Sequence, residues 1–417
     1  MKETLVYILV FFFLTGCASP KKRIQKSTKN ILSSKSFQNQ FTGFLVIDPK
    51  TKDTLLNIHG EKYFTPASNT KIFTLFTALK LLPDSIPALK YTVQKDTLYI
   101  EGTGDPTLLH TYFNSQKTIG FLKQHRHIAL YLNNFTMKKY GPGWAWEDYQ
   151  YYYQPERNGF PLFGNVVTIN DLDSIAVIPS YFKSKVISLD YSKNRELGAN
   201  TFYFPPSRKD TVEIPFKTDS TLTRTLLEGV LGKKIRVVQK MPESEKKIRY
   251  SVPSDSVYKR MMHESDNFLA EQLLILASST LSDTLDGSIA QDHILKNELA
   301  DLRQSPRWVD GSGLSRYNLF TPESIVHVLY SMYLDVSRKR LFELFPAGGA
   351  SDEFTSETPY MYAKTGSLGN NYCLSGYLQT KSGKTLIFSF MNNHFRQPSS
   401  EVKRRMQLIF ERIRDEY

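Results

Sequence analysis

The sequence predicts a mixed α/β (α+β) fold in which an antiparallel sheet flanked by helices is interrupted by a mostly β inserted domain. Three observations predict it. Strand-like runs at Phe41 to Val46 and Thr54 to Ile58 have counterparts near the end at Tyr360 to Lys364, Tyr372 to Gln379 and Thr385 to Asn392. Helical patterns open at Ser68 and again from Ser254 onward. Between these helical stretches lie only short β-like runs and turns. The 417 residues suffice for two or three domains with a sizeable core.

The chain opens with an apolar segment, Leu5 to Leu14, followed by Thr15-Gly16-Cys17. A membrane-spanning helix needs about 20 apolar residues. The segment is shorter than that and suits a secretory signal, so residues 1–17 are set apart as a leader. Residues 18–40 are expected to form a basic tether. Lys21, Lys22, Arg23, Lys26, Lys29 and Lys35 supply six cations, half of the formal net charge of +12. Charge concentrated on an arm, without a basic face or groove-entering helix, argues against a nucleic-acid partner. The two cysteines are Cys17 and Cys373.

Asp48 to Asp53 is the polar turn between the first two strands. Pro66-Ala67-Ser68-Asn69-Thr70-Lys71 then leads into the apolar run Ile72 to Leu79, with no breaker before Leu82-Pro83. A helix of about three to four turns follows, with Pro66 at its start. Residues 90–245 carry runs at 91–93, 97–100, 127–132, 166–169, 174–178 and 201–204 and form the insertion. Its aromatic cluster, Trp144, Trp146, Tyr149, Tyr151, Tyr152 and Tyr153, is expected to be core. Helices are expected over 254–278, 283–302, 322–333 and 401–414. Residues 41–89 and 246–417 thus form one domain split by the insertion.

Three short motifs occur in order: Ser68-x-x-Lys71, Ser265-x-Asn267 and Lys364-Thr365-Gly366. Each alone is weak, since Ser180/Lys183 and Lys381-Ser382-Gly383 also fit, but only Ser68 opens an apolar helix and only Lys364 ends a strand. A serine hydroxyl attacks only when a base takes its proton. A lysine one turn away is on the same helix face. To act as that base its pKa must fall about three units, roughly 4 kcal/mol. A second ammonium about 4 Å away at an effective dielectric near 20 supplies about that much repulsion. Lys364 is the expected neighbour, and burial of Lys71 adds to the effect. Ser265 can relay a proton and Asn267 can hold a substrate amide. The backbone N–H groups of Ser68 and Ser367 are candidates for an oxyanion hole. Gly366 lets a strand approach the substrate. No metal or cofactor is expected: there is no H-E-x-x-H pattern, and the histidines are scattered. The Gly311 to Gly313 loop reads as a turn.

The three motifs are the signature of penicillin-binding proteins and class A β-lactamases. Further segments narrow the likeness: Glu101-Gly102-Thr103-Gly104-Asp105-Pro106, Gly141-Pro142-Gly143-Trp144-Ala145-Trp146-Glu147-Asp148, Ser265-Asp266-Asn267-Phe268-Leu269-Ala270-Glu271 and Asp310-Gly311-Ser312-Gly313-Leu314-Ser315-Arg316-Tyr317-Asn318. From about Phe41 to Asn393 the chain resembles the D-alanyl-D-alanine carboxypeptidase/endopeptidases of the penicillin-binding protein 4 type, the low-molecular-mass class C penicillin-binding proteins. The resemblance implies a β-lactamase/transpeptidase-like domain with its site between a five-stranded sheet and a helical cluster. It implies Ser68 as the acylated nucleophile and Lys71 as its base, with Ser265, Asn267 and Lys364 completing the catalytic set. Thr365 and Ser367, beside Gly366, would hold the terminal carboxylate. Asp148, Tyr153 and Arg316 match positions that face the diamino acid of the stem peptide, whereas Gly369 stands where relatives can carry a polar side chain. The Ser68 to Ser265 interval is short for the family, which implies a trimmed insertion.

The implied function is a serine DD-peptidase that cleaves D-alanyl-D-alanine termini or D-alanyl cross-links of peptidoglycan, with β-lactams as covalent inhibitors. The rivals are a serine β-lactamase, against which the lack of a Glu-x-x-Leu-Asn segment argues, and a non-catalytic wall-binding lipoprotein. Small residues before Cys17 resemble the bacterial lipoprotein signal. That likeness implies lipidation of Cys17 and a periplasmic protein anchored to a bacterial membrane.

Overall fold

The computed structural model describes residues 19–35, 37–171, 175–348 and 359–417. The leader and Cys17 lie outside the described residues. The principal sheet has five antiparallel strands in the order Met361–Leu368, Asn371–Gln379, Thr385–Asn393, Phe41–Ile47 and Thr54–Ile58. The two ends of the chain therefore build one sheet, with Phe41–Ile47 beside Thr385–Asn393.

Side chains alternate between the faces of a strand, and here both faces are apolar. Cys373, Tyr377, Ile387 and Met391 pack on the helices Lys71–Leu81, Asn267–Ser278 and Pro322–Asp335. Leu374, Leu378, Phe388 and Phe390 face the C-terminal helix Ser399–Glu416 through Met406, Ile409, Phe410 and Ile413.

The basic arm is not a tether. Residues Pro20–Leu32 form a helix, with Ser19 at its N-cap and Pro20 in the first turn. Ile24, Thr28 and Ile31 fall at i, i+4 and i+7 and make one stripe. Ile24 is fully buried in the outer cluster, and Gln25 Nε2 donates to Leu55 O at 2.9 Å. The cations occupy the remaining faces, so the run of charge masked an amphipathic helix.

The inserted region has its own core, built on Leu89, Ile100, Leu130, Phe182 and Leu227 among others. Its main sheet runs Ile235–Val238, His127–Tyr131, Thr97–Gly102, Ser85–Gln94, Lys247–Pro253, and the two pairings involving His127–Tyr131 are parallel. Parallel neighbours need crossovers, and the helices Gln116–Lys123 and Ser220–Leu231 lie on those connections. The sequence reading had no helix there. The second has clear stops, an Asp219 side chain capping Leu222 N and Gly232 at φ 66°, but its threonines blur the helical period. The strands opening and closing this sheet pair Ser85 with Pro253, so chain entry and exit are adjacent.

Two expected helices are interrupted. The 254–278 stretch is two helices, Ser254–His263 and Asn267–Ser278, broken where Ser265 adopts φ 53°. The 283–302 stretch forms Gly287–His293 and one wider turn, Ile294–Glu298. Among the described residues no helix is long and apolar enough to cross a membrane.

Candidate active site

The Ser68 turn is a short 3-10 segment, Ala67–Thr70, that runs into the helix starting at Lys71. It is held from both sides. Thr70 Oγ1 donates to Ala67 O at 2.9 Å, and Asn69 Nδ2 donates to Lys364 O at 2.8 Å. Asn69 Oδ1 in turn accepts from Ser375 Oγ on the next strand. Two glycines permit the contact. A Cβ on Gly366 would lie 2.5 Å from Pro66 O and 3.0 Å from Ser68 N, and one on Gly313 would lie 1.9 Å from Ala67 O.

Lys71 is completely buried. Its Nζ is 3.0 Å from Ser68 Oγ, 2.7 Å from Asn267 Oδ1 and 2.7 Å from Ser312 O. The last two can only accept. A neutral amine has two N–H donors and one lone pair, so donating to Asn267 and Ser312 leaves the lone pair for the Ser68 hydroxyl proton. Burial is the largest cause that brings the Lys71 pKa down to about 8, against the upward pull of Asp310, Asp266 and Glu271. This corrects the expected balance: desolvation, not a second ammonium, is what lowers Lys71. Lys364 is also lowered well below its ordinary value, first by burial and then by Lys71, and donates to Thr365 O at 2.9 Å.

Ser312 was missed by the sequence reading, which treated its loop as a turn. Asp310 builds that loop. Its carboxylate accepts from Gly313 N at 2.9 Å, Ser315 N at 2.7 Å and Asn318 Nδ2 at 2.7 Å, and from Trp144 Nε1 at 2.9 Å. Glu271 accepts from Ser312 N at 2.8 Å and pairs with Arg157 at 3.3 Å. Burial pushes the Glu271 pKa up to about 7. Thr74 Oγ1 donates to Gly311 O at 2.7 Å. The Asp310–Asn318 loop thus aims one backbone carbonyl at the lysine.

A cleft of about 510 Å³ opens over Ser68, lined by Ser265, Asp266, Asn267, Ser367, Leu368, Asp148 and Tyr153 among others. Ser265 Oγ has no hydrogen-bond partner among the described residues, Lys71 included. Asn267 is more engaged than expected: besides Lys71, its Nδ2 donates to Tyr153 O at 2.9 Å, leaving one amide proton for another partner. Along the edge strand Ala363 N donates outward to Pro346 O. The two-residue alternation puts the Thr365 and Ser367 N–H groups on that same outer side. Burial, then a hydrogen bond to Asp148, raises the Tyr153 hydroxyl pKa. Arg316 lies at the exposed rim, donating to Asn370 Oδ1 at 3.2 Å, and a Cβ on Gly369 would be 3.8 Å from its Nη2. The aromatic cluster is not core as expected. Tyr149 alone is buried, while Trp146 and Tyr152 are 72% and 67% exposed. Among the described residues no three His, Cys, Asp or Glu side chains are placed to hold a metal.

The profile of the D-Ala-D-Ala carboxypeptidase 3 (S13) family matches residues 24–176 and 220–413. The chain belongs to this family. It is therefore a serine-type DD-peptidase, a hydrolase of D-alanyl peptides, as the motifs implied. The S13 chain is 23% identical over 446 residues to D-alanyl-D-alanine carboxypeptidase DacB of Haemophilus influenzae, covering 91% of each protein. It is 24% identical over 443 residues to the D-alanyl-D-alanine carboxypeptidase of Actinomadura sp. strain R39, covering 88% of this chain and 80% of that one. The crystal structure of penicillin binding protein 4 from H. influenzae superposes with a TM-score of 0.74 at 18% identity, covering 93% of this chain and 99% of that one. The fold of this S13 member is thus the penicillin-binding, transpeptidase-like fold that the sequence predicted.

Proposed function

We propose that this S13 protein cleaves D-alanyl-D-alanine ends or D-alanyl cross-links of peptidoglycan through an acyl-enzyme on Ser68. The observation that carries the assignment is the set of three partners around Lys71 Nζ: once the amine is neutral, donation to Asn267 Oδ1 and Ser312 O leaves its lone pair for the serine hydroxyl. Ser68 Oγ attacks the carbonyl carbon of the penultimate D-alanine as Lys71 takes its proton. The oxyanion is received by the N–H groups of Ser68 and Ser367. Lys71 passes that proton to the Ser265 hydroxyl, which lines the same cleft and gives its own proton to the leaving amine. Water then attacks the ester, with Lys71 again the base. Asn267 keeps Lys71 in place and offers its remaining amide proton to the acyl chain. Lys364 sits on the same edge strand as Thr365 and Ser367, which hold the terminal carboxylate. Asp148, Tyr153 and Arg316 are assigned to the diamino acid of the stem peptide.

The H. influenzae relative has been crystallised with a β-lactam, with a TM-score of 0.66 to this chain. We carry covalent β-lactam inhibition over to Ser68 on the strength of the same serine–lysine geometry. Lipidation at Cys17 and a periplasmic, membrane-anchored location complete the proposal, supported by the Leu14-Thr15-Gly16-Cys17 sequence. The test is D-alanine release from a pentapeptide ending in D-alanyl-D-alanine. Ser68→Ala is expected to abolish release with an unchanged melting temperature. Turnover retained in that variant would overturn the mechanism.

A further inference from the structure

Lys71 Nζ donates to two acceptors, Asn267 Oδ1 and Ser312 O. Both are braced by one stretch of the inserted region, residues 144–157. Asn267 Nδ2 donates to Tyr153 O at 2.9 Å. Trp144 Nε1 donates at 2.9 Å to Oδ2 of Asp310, the carboxylate that builds the Ser312 loop. Arg157 Nη1 donates at 3.3 Å to Glu271 Oε2, and the other oxygen of Glu271 accepts from Ser312 N at 2.8 Å. Asn267 and Glu271 are four apart on one helix and so share a face. That face meets residues 144–157. The same stretch walls the cleft with Asp148, Tyr152 and Tyr153.

The braces are themselves fixed. Arg157 Nε donates to Lys138 O at 3.2 Å, and its backbone N–H donates to Lys139 O at 2.8 Å. Its guanidinium carbon lies 5.3 Å from the Trp144 ring centroid, which joins the two braces to each other. One residue further on, the Gln272 side chain accepts from Asn158 N at 3.1 Å and donates to Asn158 O at 2.8 Å. Arg157 and Glu271 are each 3% exposed. A buried ion pair adds little net stability over an apolar pair of similar volume, so packing alone does not account for these charges.

Their effect on Lys71 does. The charged groups facing Lys71 are Asp310 from its loop, Asp266 and Glu271 from the Asn267–Ser278 helix and its cap, and Lys364 from the edge strand. Those facing Glu271 are Asp310 and Arg157. Burial and Asp310 push Glu271 toward its neutral form, and Arg157 opposes them. An ionised Glu271 in turn pulls Lys71 upward. Arg157 therefore reaches the lysine twice, through the peptide that Glu271 holds and through the charge that Glu271 carries.

We propose that Arg157 and Trp144 are positioning residues for the general base, bracing through Glu271 and Asp310 the carbonyl of Ser312 that fixes the Lys71 amine. This rests on the reading of Lys71 as the base for Ser68 given above. Neither residue touches the nucleophile. One stretch of the inserted region thus both walls the cleft and tunes the base beneath it.

The test is the pH profile of benzylpenicillin acylation, followed by stopped flow, for the unsubstituted protein, Arg157→Met, Arg157→Lys and Trp144→Phe. Without the guanidinium, Glu271 takes up a proton and its upward pull on Lys71 lapses. The rising limb of the Arg157→Met profile is expected about one pH unit lower, with a plateau reduced several-fold. Arg157→Lys keeps the cation and should return the limb toward its original position. Trp144→Phe keeps a ring beside Arg157 but loses the Nε1 donor. It should lower the plateau roughly tenfold and leave the limb in place. If Arg157→Met fails to fold, Glu271→Gln, which keeps an oxygen for Ser312 N and has no charge, should show the same shift. An unmoved limb in the folded variant, a shift that Arg157→Lys does not reverse, or an undiminished plateau in Trp144→Phe would overturn the proposal. An unsubstituted protein that is not acylated, or whose profile is flat, would instead overturn the reading of Lys71 as the base.

Discussion

At the residue scale, the site turns on the protonation state of one lysine. Lys71 can act as the proposed base only when neutral, and burial brings its pKa down to about 8. The rate of acylation by a β-lactam should therefore climb about tenfold per pH unit below that value and level off above it. A stopped-flow pH profile flat from pH 6 to 9 would contradict this. Lys71→Ala should slow acylation by about 10²- to 10⁴-fold, the span general-base catalysis supplies, while leaving the fold intact by circular dichroism. Ser68, Lys71, Ser265, Asn267 and Lys364 could be singled out in the sequence because the proposed chemistry requires particular side chains in a particular order. Ser312 was not, because its contribution is a backbone carbonyl that any residue could supply. Asn69 was overlooked inside the first motif, although a polar residue in an apolar helix start was a usable signal.

At the scale of elements, two turns and one strand edge determine whether those residues meet. The Asp310 carboxylate accepts from three donors inside the loop that aims Ser312 O at Lys71, and from Trp144 Nε1 outside it. Asp310→Ala leaves those donors without their partner and should cost about 3 kcal/mol or more. A lowered denaturant midpoint together with slowed acylation is expected; loss of neither would show the loop to be held otherwise. Gly366→Ala places a Cβ 2.5 Å from Pro66 O, pushing the edge strand off the Ser68 turn. Penicillin acylation should then fall sharply while the melting temperature moves little by comparison. The strands were readable from their alternation, and the 254–278 helix break was not, since only the left-handed backbone of Ser265 marks it. A serine in that conformation leaves no compositional trace, whereas a glycine there would have been noticed.

For the whole molecule, the two ends of the chain close one sheet, and the arm from Pro20 to Leu32 covers its outer side. Ile24 is fully buried there, so Ile24→Ala should destabilise the protein by about 2–4 kcal/mol, read as a fall in urea midpoint. An unchanged midpoint would make the arm a tether after all. Because Ser19 already caps this helix, a lipid on Cys17 would hold the body close to the membrane surface. Cys17→Ala should shift the protein from the membrane to the soluble fraction of the producing cell. The sheet shared by the two ends of the chain was visible in the order of strands and helices. The helices inside the insertion were hidden because they serve parallel crossovers that no local strand pattern reveals.

The central claim is that Ser68 is a nucleophile poised for acylation, and intact mass spectrometry tests it most directly. The purified protein and its Ser68→Ala variant would be weighed before and after exposure to benzylpenicillin. The account predicts one stable adduct on the unsubstituted protein, mapped to Ser68, and none on the variant. An adduct that persists in Ser68→Ala, or an unsubstituted protein that gains no mass and leaves the drug intact, would contradict it.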